Sequence, residues 1–291
     1  MKQAIEEAVE DTLRQEQKPV VIFMLGGVDV GKTYAVTSMA NAFFAHGLKV
    51  AVVDTDVGQS DIGPPCCIGM GIQEKALRTL SEVPLHSLYF VGNTSPNRCM
   101  HDCVKGAAAA VAKAKELGAD VIIVDSTGWI EGEDAKRFKL FEIKEIKPTL
   151  VIAIEREERL GHILTDLNMK IIKLPVSGEV RSRSREERKA LREEAYNRYF
   201  STAKTRVFDP PALAWTLEEG TIMGLYNSKD DENEIVGLGI LMKWDYEQGK
   251  VIVSTPVDDA DTETEIKMKT GGLKLIKVYG GFKEARVYKF Y

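Results

Sequence analysis

The chain has 291 residues, a net charge of −5, 44% hydrophobic and 29% charged residues. That length accommodates one large domain, or a large and a small one, around a proper core. It holds no apolar run long enough to span a membrane, residues 1–18 are acidic and helical in pattern rather than a signal peptide, and the acidic balance excludes a generally nucleic-acid-coating protein; a cytoplasmic location is expected.

In chain order, residues 20–25 (VVIFML) form a short apolar, β-branched run that predicts a buried parallel strand. Gly26-Gly27-Val28-Asp29-Val30-Gly31-Lys32-Thr33 follows, a complete G-x-x-x-x-G-K-T phosphate-binding loop. Residues 34–46, opening with Tyr34, carry apolar side chains at helical spacing and stop at Gly47. Strand, glycine loop and helix in that order predict a nucleoside triphosphate site. Backbone N–H groups would close on phosphate oxygens, Lys32 would reach the outer phosphates, and the Thr33 hydroxyl can bind magnesium.

Further strands are predicted at 48–54, 87–92, 120–125, 149–154 and 170–174, with an alanine-rich helix over 104–117. This alternation predicts an α/β fold, a P-loop NTPase parallel sheet with helices on both faces. Near Asp209-Pro210-Pro211 the pattern changes to short β-type runs at 221–226, 235–244, 250–257 and 273–279. Turn-rich or acidic segments at 227–233 and 258–261 divide them. The expected division is a kinase-type domain over 1–208, with an N-terminal helix over 1–18, and a small antiparallel β domain over 209–291.

The second strand runs into Asp54-Thr55-Asp56-Val57-Gly58-Gln59. Carboxylates there can hold a magnesium-bound water or take a proton from an attacking hydroxyl, and Asp54 and Asp56 fall on one side of an extended strand. An aspartate at a strand end is also a common helix cap. The strand ending at Asp125 leads into Ser126-Thr127-Gly128-Trp129, with Asp125 where a magnesium-supporting carboxylate would lie. Trp129 can stack on a base or pack into the core. Arg181, Arg185, Arg188 and Arg192 share one stripe if their segment is helical. Arg183 lies among them, and interspersed glutamates also fit a solvated, salt-bridged helix. Cys66-Cys67 and Cys99-x-x-x-Cys103, with His101, suit small buried thiols better than zinc, because adjacent cysteines are poor tetrahedral partners.

Together these motifs resemble the P-loop polynucleotide 5′-hydroxyl kinases of RNA processing. That family includes the kinase of tRNA splicing and pre-mRNA cleavage and the kinase of ribosomal RNA maturation. The family pattern is G-x-x-D-x-G-K-S/T, D-x-D-x-G-Q, a T-x-G-W clasp and an R-x-x-x-R lid. GGVDVGKT matches with Asp29 at the extra position, DTDVGQ matches from Asp54 to Gln59, STGW carries Ser126 for threonine, and Arg188 with Arg192 matches the lid. Gly92-Asn93-Thr94-Ser95-Pro96 resembles the substrate-side loop, while GLGIL (237–241) and STPV (254–257) resemble the C-terminal β domain. The likeness begins near residue 20. Larger members carry a β-rich domain before the phosphate loop, where a short helix stands here, so a short form is expected.

The resemblance implies an ATP- and Mg²⁺-dependent kinase acting on the 5′-hydroxyl end of an RNA or DNA strand, with no membrane partner. Gly26 to Lys32 and Tyr34 would hold the nucleotide, and Thr33, Asp54 and Asp125 the metal with its water shell. Asp56 would accept the hydroxyl proton, and Arg188 and Arg192 would neutralise the transferring phosphoryl. Gln59, Thr94, Ser95, Ser126, Gly128 and Trp129 would position the strand, with Arg183 and Arg185 on its phosphates. A GTPase or related ATPase is disfavoured, since Ile154-Glu155-Arg156-Glu157 replaces a guanine-reading N-K-x-D and Gly27-Val28 stands where a partition-type ATPase needs lysine. An ATP-bound scaffold without turnover is the remaining alternative.

Overall fold

The run at residues 20–25 is a strand buried along its whole length, because helices cover both of its faces. The computed structural model describes residues 2–14, 18–176, 181–209, 217–227, 234–258 and 266–285. Pro210, Pro211 and most of the turn segments at 227–233 and 258–261 therefore lie outside the described residues. The elements in chain order begin α1 (Lys2–Leu13), β1 (Val20–Gly26), α2 (Lys32–Ala45), β2 (Val50–Asp54), β3 (Cys67–Ile72) and β4 (Leu85–Phe90). Next come α3 (Met100–Glu116), β5 (Val121–Asp125), α4 (Glu133–Ile146), β6 (Leu150–Glu155), α5 (Gly161–Leu164), β7 (Lys170–Pro175) and α6 (Arg185–Tyr199). The chain then adds β8 (Lys204–Phe208), β9 (Thr221–Asn227), β10 (Glu234–Ile235), β11 (Gly237–Asp245), β12 (Lys250–Thr255), β13 (Ile266–Val278) and β14 (Gly281–Ala285).

The first sheet has the order β10-β4-β3-β2-β5-β1-β6-β7. Strands β2, β5, β1, β6 and β7 are mutually parallel. Alternate residues feed opposite layers, as the two-residue strand period requires. Val21, Phe23 and Leu25 pack with Ala107, Val111 and Phe138 of α3 and α4. Ile22 and Met24 pack with Ile5 and Val9 of α1 and with Val36, Met39 and Phe43 of α2.

The sheet is mixed rather than wholly parallel. β3 runs antiparallel to both β2 and β4, so a hairpin extends the sheet beyond β2. Its sequence, CIGMGI, is weak as a strand signal because glycine interrupts it twice. Those glycines are required by space: a Cβ at Gly69 would collide with the Ile62 carbonyl, and one at Gly71 with the Pro84 carbonyl.

The second sheet is antiparallel, in the order β14-β13-β9-β11-β12-β8. It takes its edge strand β8 from before residue 209 and gives β10 to the first sheet, so the two layers interlock. Cys66, Cys67, Leu88 and Phe90 share one core with Tyr196, Phe200, Ile222 and Leu238, which seats α6 between the sheets. Among the described residues no helix is long and apolar enough to cross a membrane.

Candidate active site

Three neighbouring strands come level near their C-terminal ends: Met24, two residues before the end of β1, and Asp54, the last of β2, both stand beside Asp125 in the parallel register. That alignment places the phosphate loop, the 54–59 loop and the 125–129 loop around a cavity of about 500 Å³. Its lining includes Asp29, Gly31, Lys32, Thr33, Asp56 and Asp125. Gly31 has φ +89°, a left-handed conformation that suits glycine, and the chain enters α2 directly after it. Gly128 packs on the loop so closely that a Cβ would stand 2.8 Å from the backbone nitrogen of Val28. Gly26 and Gly27 shape the loop from beneath, their carbonyls accepting from Lys32 Nζ at 3.0 and 2.7 Å. Val28 and Tyr34 are exposed at the cavity rim. Burial pulls the Lys32 ammonium below its usual range, against the opposing pull of Asp125 and Asp56.

Thr33 Oγ1 donates to Asp125 Oδ2 at 2.8 Å, and Asp125 Oδ1 is buried without a hydrogen-bond partner. A hydroxyl and an orphaned carboxylate oxygen beside a phosphate loop are the hard oxygen donors that Mg²⁺ prefers, with phosphate and water completing its shell. Thr33 and Asp125 therefore fit the metal. Burial raises the Asp125 carboxyl to about 6, although Lys32 and the Thr33 bond pull the other way.

Asp54 departs from the expectation of a metal-supporting residue. Its Oδ1 accepts from the Asp56 N–H at 3.0 Å, and its Oδ2 from the N–H groups of Asp61 and Ile62 at 2.6 and 3.1 Å and from Ser60 Oγ at 3.2 Å. The buried carboxylate is consumed in folding the 56–62 loop. Burial and the neighbouring Asp125 raise its pKa well above the usual range. β2 stops at Asp54, so the strand alternation does not carry on to Asp56. Asp56 instead reaches the cavity from the loop, its Oδ1 accepting from the N–H groups of Gly58 and Gln59, both at 3.0 Å.

Ser184 caps α6 in a full capping box with Glu187. The helix therefore starts at Arg185, and Arg181 precedes it outside any regular element, paired with Glu187, so the expected four-arginine stripe loses its first member. Arg188 Nη2 donates to Asp29 Oδ2 at 2.7 Å, and the Arg183 N–H reaches the same oxygen at 2.9 Å. Burial opposes ionisation of Asp29, but these bonds outweigh it and lower its pKa. Gln59 Nε2 donates to the Arg188 carbonyl at 3.1 Å, tying the 54–59 loop to the helix. Arg192, one turn further along, does not line the phosphate-loop cavity. It lines a neighbouring cavity of about 650 Å³ between α2 and α6, with Arg183 and Arg198, and grips Glu284. Arg185 is exposed at the first turn of α6, outside the linings of both cavities.

The clasp segment divides: Ser126 and Gly128 line the phosphate-loop cavity, whereas Trp129 does not. The Ser126 hydroxyl is fully buried and donates to the Met24 carbonyl at 2.6 Å, which locks β5 to β1. Trp129 packs its ring on Phe138, centroids 5.7 Å apart, against the core rather than into either cavity. Thr94 and Ser95 are half-buried beside Gly58, where a Cβ would stand 2.9 Å from the Thr94 carbonyl. Cys66, Cys67 and Cys103 are buried and Cys99 partly so, with Sγ of Cys99 and Cys103 3.8 Å apart. The residues that sequence reading missed are Glu142, which accepts from Thr55 Oγ1 at 3.4 Å, and its fully buried partner Lys139 at 2.8 Å. Their spacing of three on a helix was the available signal.

A family model described as "mRNA cleavage and polyadenylation factor CLP1 P-loop" matches residues 26–202. A polyribonucleotide 5′-hydroxyl-kinase of Pyrococcus furiosus is 35% identical over 78% of this chain, which spans 63% of that protein. A polyribonucleotide 5′-hydroxyl-kinase of Methanocaldococcus jannaschii is 31% identical over 90% of this chain and 89% of its own length. Among solved structures, a Clp1p–Pcf11p complex superposes with a TM-score of 0.69 over 94% of this chain and 79% of that one. At 12% identity that likeness speaks for the fold. The family match and the kinase relatives agree with the motif order around the cavity: the chain belongs to the CLP1 P-loop family of polynucleotide kinases.

Proposed function

We infer that this chain is an ATP-dependent kinase that transfers the γ-phosphate to the 5′-hydroxyl end of an RNA strand. The observation that carries the reading is the convergence of Lys32, Thr33, Asp56 and Asp125 on one cavity at the mouth of a phosphate loop. Kinase-named relatives at 31–35% identity support it. Backbone N–H groups from Gly27 to Tyr34 bind the triphosphate, and Lys32 exchanges its two loop carbonyls for the outer phosphates. Thr33 and Asp125 hold Mg²⁺, which, when bound, offsets charge on the phosphate oxygens.

Asp56 orients the acceptor hydroxyl and takes its proton, because its carboxylate lines the cavity and is held by two backbone donors. Arg188 stabilises the transferring phosphoryl from the nucleotide side and Arg192 from the acceptor side, while Arg183 and Arg185 meet strand phosphates. Gln59 sets the acceptor end against α6, and Gly128 keeps the 125–129 loop against the phosphate loop.

The deciding experiment is transfer of radiolabelled phosphate from ATP to 5′-hydroxyl oligonucleotides, RNA against DNA. Labelling of RNA with Mg²⁺ present, and its loss on chelation, is the expected result. Tight ATP binding without labelling of either strand would replace the kinase by a nucleotide-bound scaffold.

A further inference from the structure

The helix that carries the lid arginines buries Ala195 and Tyr196, which anchor its C-terminal part in the core, while the turns carrying Arg188 and Arg192 bury no residue of their own. Strand β14 of the second sheet adds a second hold. Asn197 exchanges two hydrogen bonds with the Phe282 backbone, at 3.1 and 2.6 Å. Glu193 Oε1 accepts from the Glu284 N–H at 3.1 Å, and the Phe200 and Phe282 rings meet at 5.7 Å. At the centre of this contact Arg192 grips Glu284 side-on, Nε to Oε1 at 2.6 Å and Nη2 to Oε2 at 2.9 Å.

Both side chains are largely buried, 19% and 14% exposed, so solvent does little to loosen the pair. The bond raises the guanidinium pKa further. A side-on fork uses the Nε edge of the guanidinium and leaves the Nη1 edge able to donate elsewhere. Arg192 lines the cavity between α2 and α6, which shares Thr33, Gln59 and Asp61 with the phosphate-loop cavity.

We propose that Glu284 is a positioning residue: from the C-terminal sheet it presets the Arg192 guanidinium on the acceptor side of the phosphoryl-transfer site. The proposal rests on the kinase reading for what Arg192 does, but not for how Arg192 is held. A preset fork costs no ordering of a long side chain at the moment of transfer, which is how a supporting carboxylate raises kcat without touching substrate. The second sheet thereby becomes part of the lid's support.

The test measures single-turnover transfer, ATP affinity and melting temperature for Glu284→Gln, Arg192→Ala and the double variant, with Asn197→Ala as a docking control. Glu284→Gln should lower the transfer rate about tenfold while ATP affinity stays within about twofold. The double variant should be no slower than Arg192→Ala, because one residue acts through the other. Asn197→Ala should lower the melting temperature without that pattern. An unchanged or faster Glu284→Gln enzyme, or additive losses in the double variant, overturns the proposal.

A second readout does not depend on activity. The Arg192 Nε–H resonance should be exchange-protected in the wild type and lose protection in Glu284→Gln. If the wild type transfers no phosphate, the kinase reading fails, while this resonance still decides whether Glu284 holds the guanidinium. Equal exchange in both proteins overturns it.

Discussion

Arg188 and Asp29 form a 2.7 Å ion pair that joins α6 to the phosphate loop across 159 positions of sequence. Asp29 is the residue at the extra position of the motif, held at φ +53°, and its carboxylate also receives the Arg183 N–H. Helix α6 and the phosphate loop are thus one charge-paired unit, with the Arg188 guanidinium lining the phosphate-loop cavity.

Asp29→Asn should loosen that unit. It removes the charge facing Arg188 while leaving an amide oxygen for the Arg183 N–H. Hydrogen exchange over residues 185–192 should quicken in the nucleotide-free protein and slow again when ATP offers Arg188 a new anion. Equal exchange in wild type and variant would remove the pair from the lid's mechanics.

Lys32→Ala should leave the fold intact and cut transfer by about a hundredfold or more. The side chain's hydrogen bonds run to its own loop carbonyls, and the buried Asp125, which loses the opposing charge of Lys32, can take up a proton instead of unfolding the site. Circular dichroism and a transfer assay check the two halves, and near-normal turnover in a folded variant would falsify the kinase assignment.

Asp56→Asn should separate binding from chemistry. The amide oxygen can still accept from Gly58 and Gln59, so the loop keeps its shape, but the carboxylate proposed to take the proton is gone. ATP affinity should hold while transfer falls by about two orders of magnitude or more. Parallel losses in both would make Asp56 a binding residue.

Asp125 supplies a pH signature. Its carboxyl titrates near 6 in the folded protein, raised by burial, against about 4 in an unfolded chain. Between those values the native state holds the extra proton. The stability of nucleotide-free, metal-free protein should therefore be greatest below about pH 4 on this account, and fall as pH rises through about 6. Urea denaturation from pH 4 to 7 measures the slope. Asp125→Asn should reduce it without abolishing it, because Asp54, Asp61 and Glu142 are shifted the same way by burial. Mg²⁺-dependent ATP binding should strengthen over the same interval, since the ion needs the carboxylate.

Trp129→Ala should destabilise the fold by about 2–4 kcal/mol through lost packing on Phe138. RNA affinity should change less than the about 1–3 kcal/mol that a lost base stack costs. Thermal melts and fluorescence anisotropy decide it; a stable variant with weakened RNA binding would return the ring to the substrate.

The phosphate loop, its flanking strand and helix, and the presence of the central parallel strands were legible in the residues because their determinants are local, whereas the order of those strands came only with the fold. Gly31 must adopt a left-handed backbone, a doubly covered strand must be apolar throughout, and α2 must present its N-terminus to phosphate. Where side chains from distant segments compete for one partner, local pattern carries no such information. D-x-D reads as two equivalent carboxylates, yet β2 ends between them, so Asp54 is spent on the loop and Asp56 reaches the cavity. Strand β3 hides behind two glycines that only the nearness of Ile62 and Pro84 explains. Arg188 and Arg192 are identical in sequence terms, one helical turn apart. Only folding sets Asp29 against the first and Glu284 of the second sheet against the second, because an ion pair depends on three-dimensional distance and burial rather than on spacing along the chain.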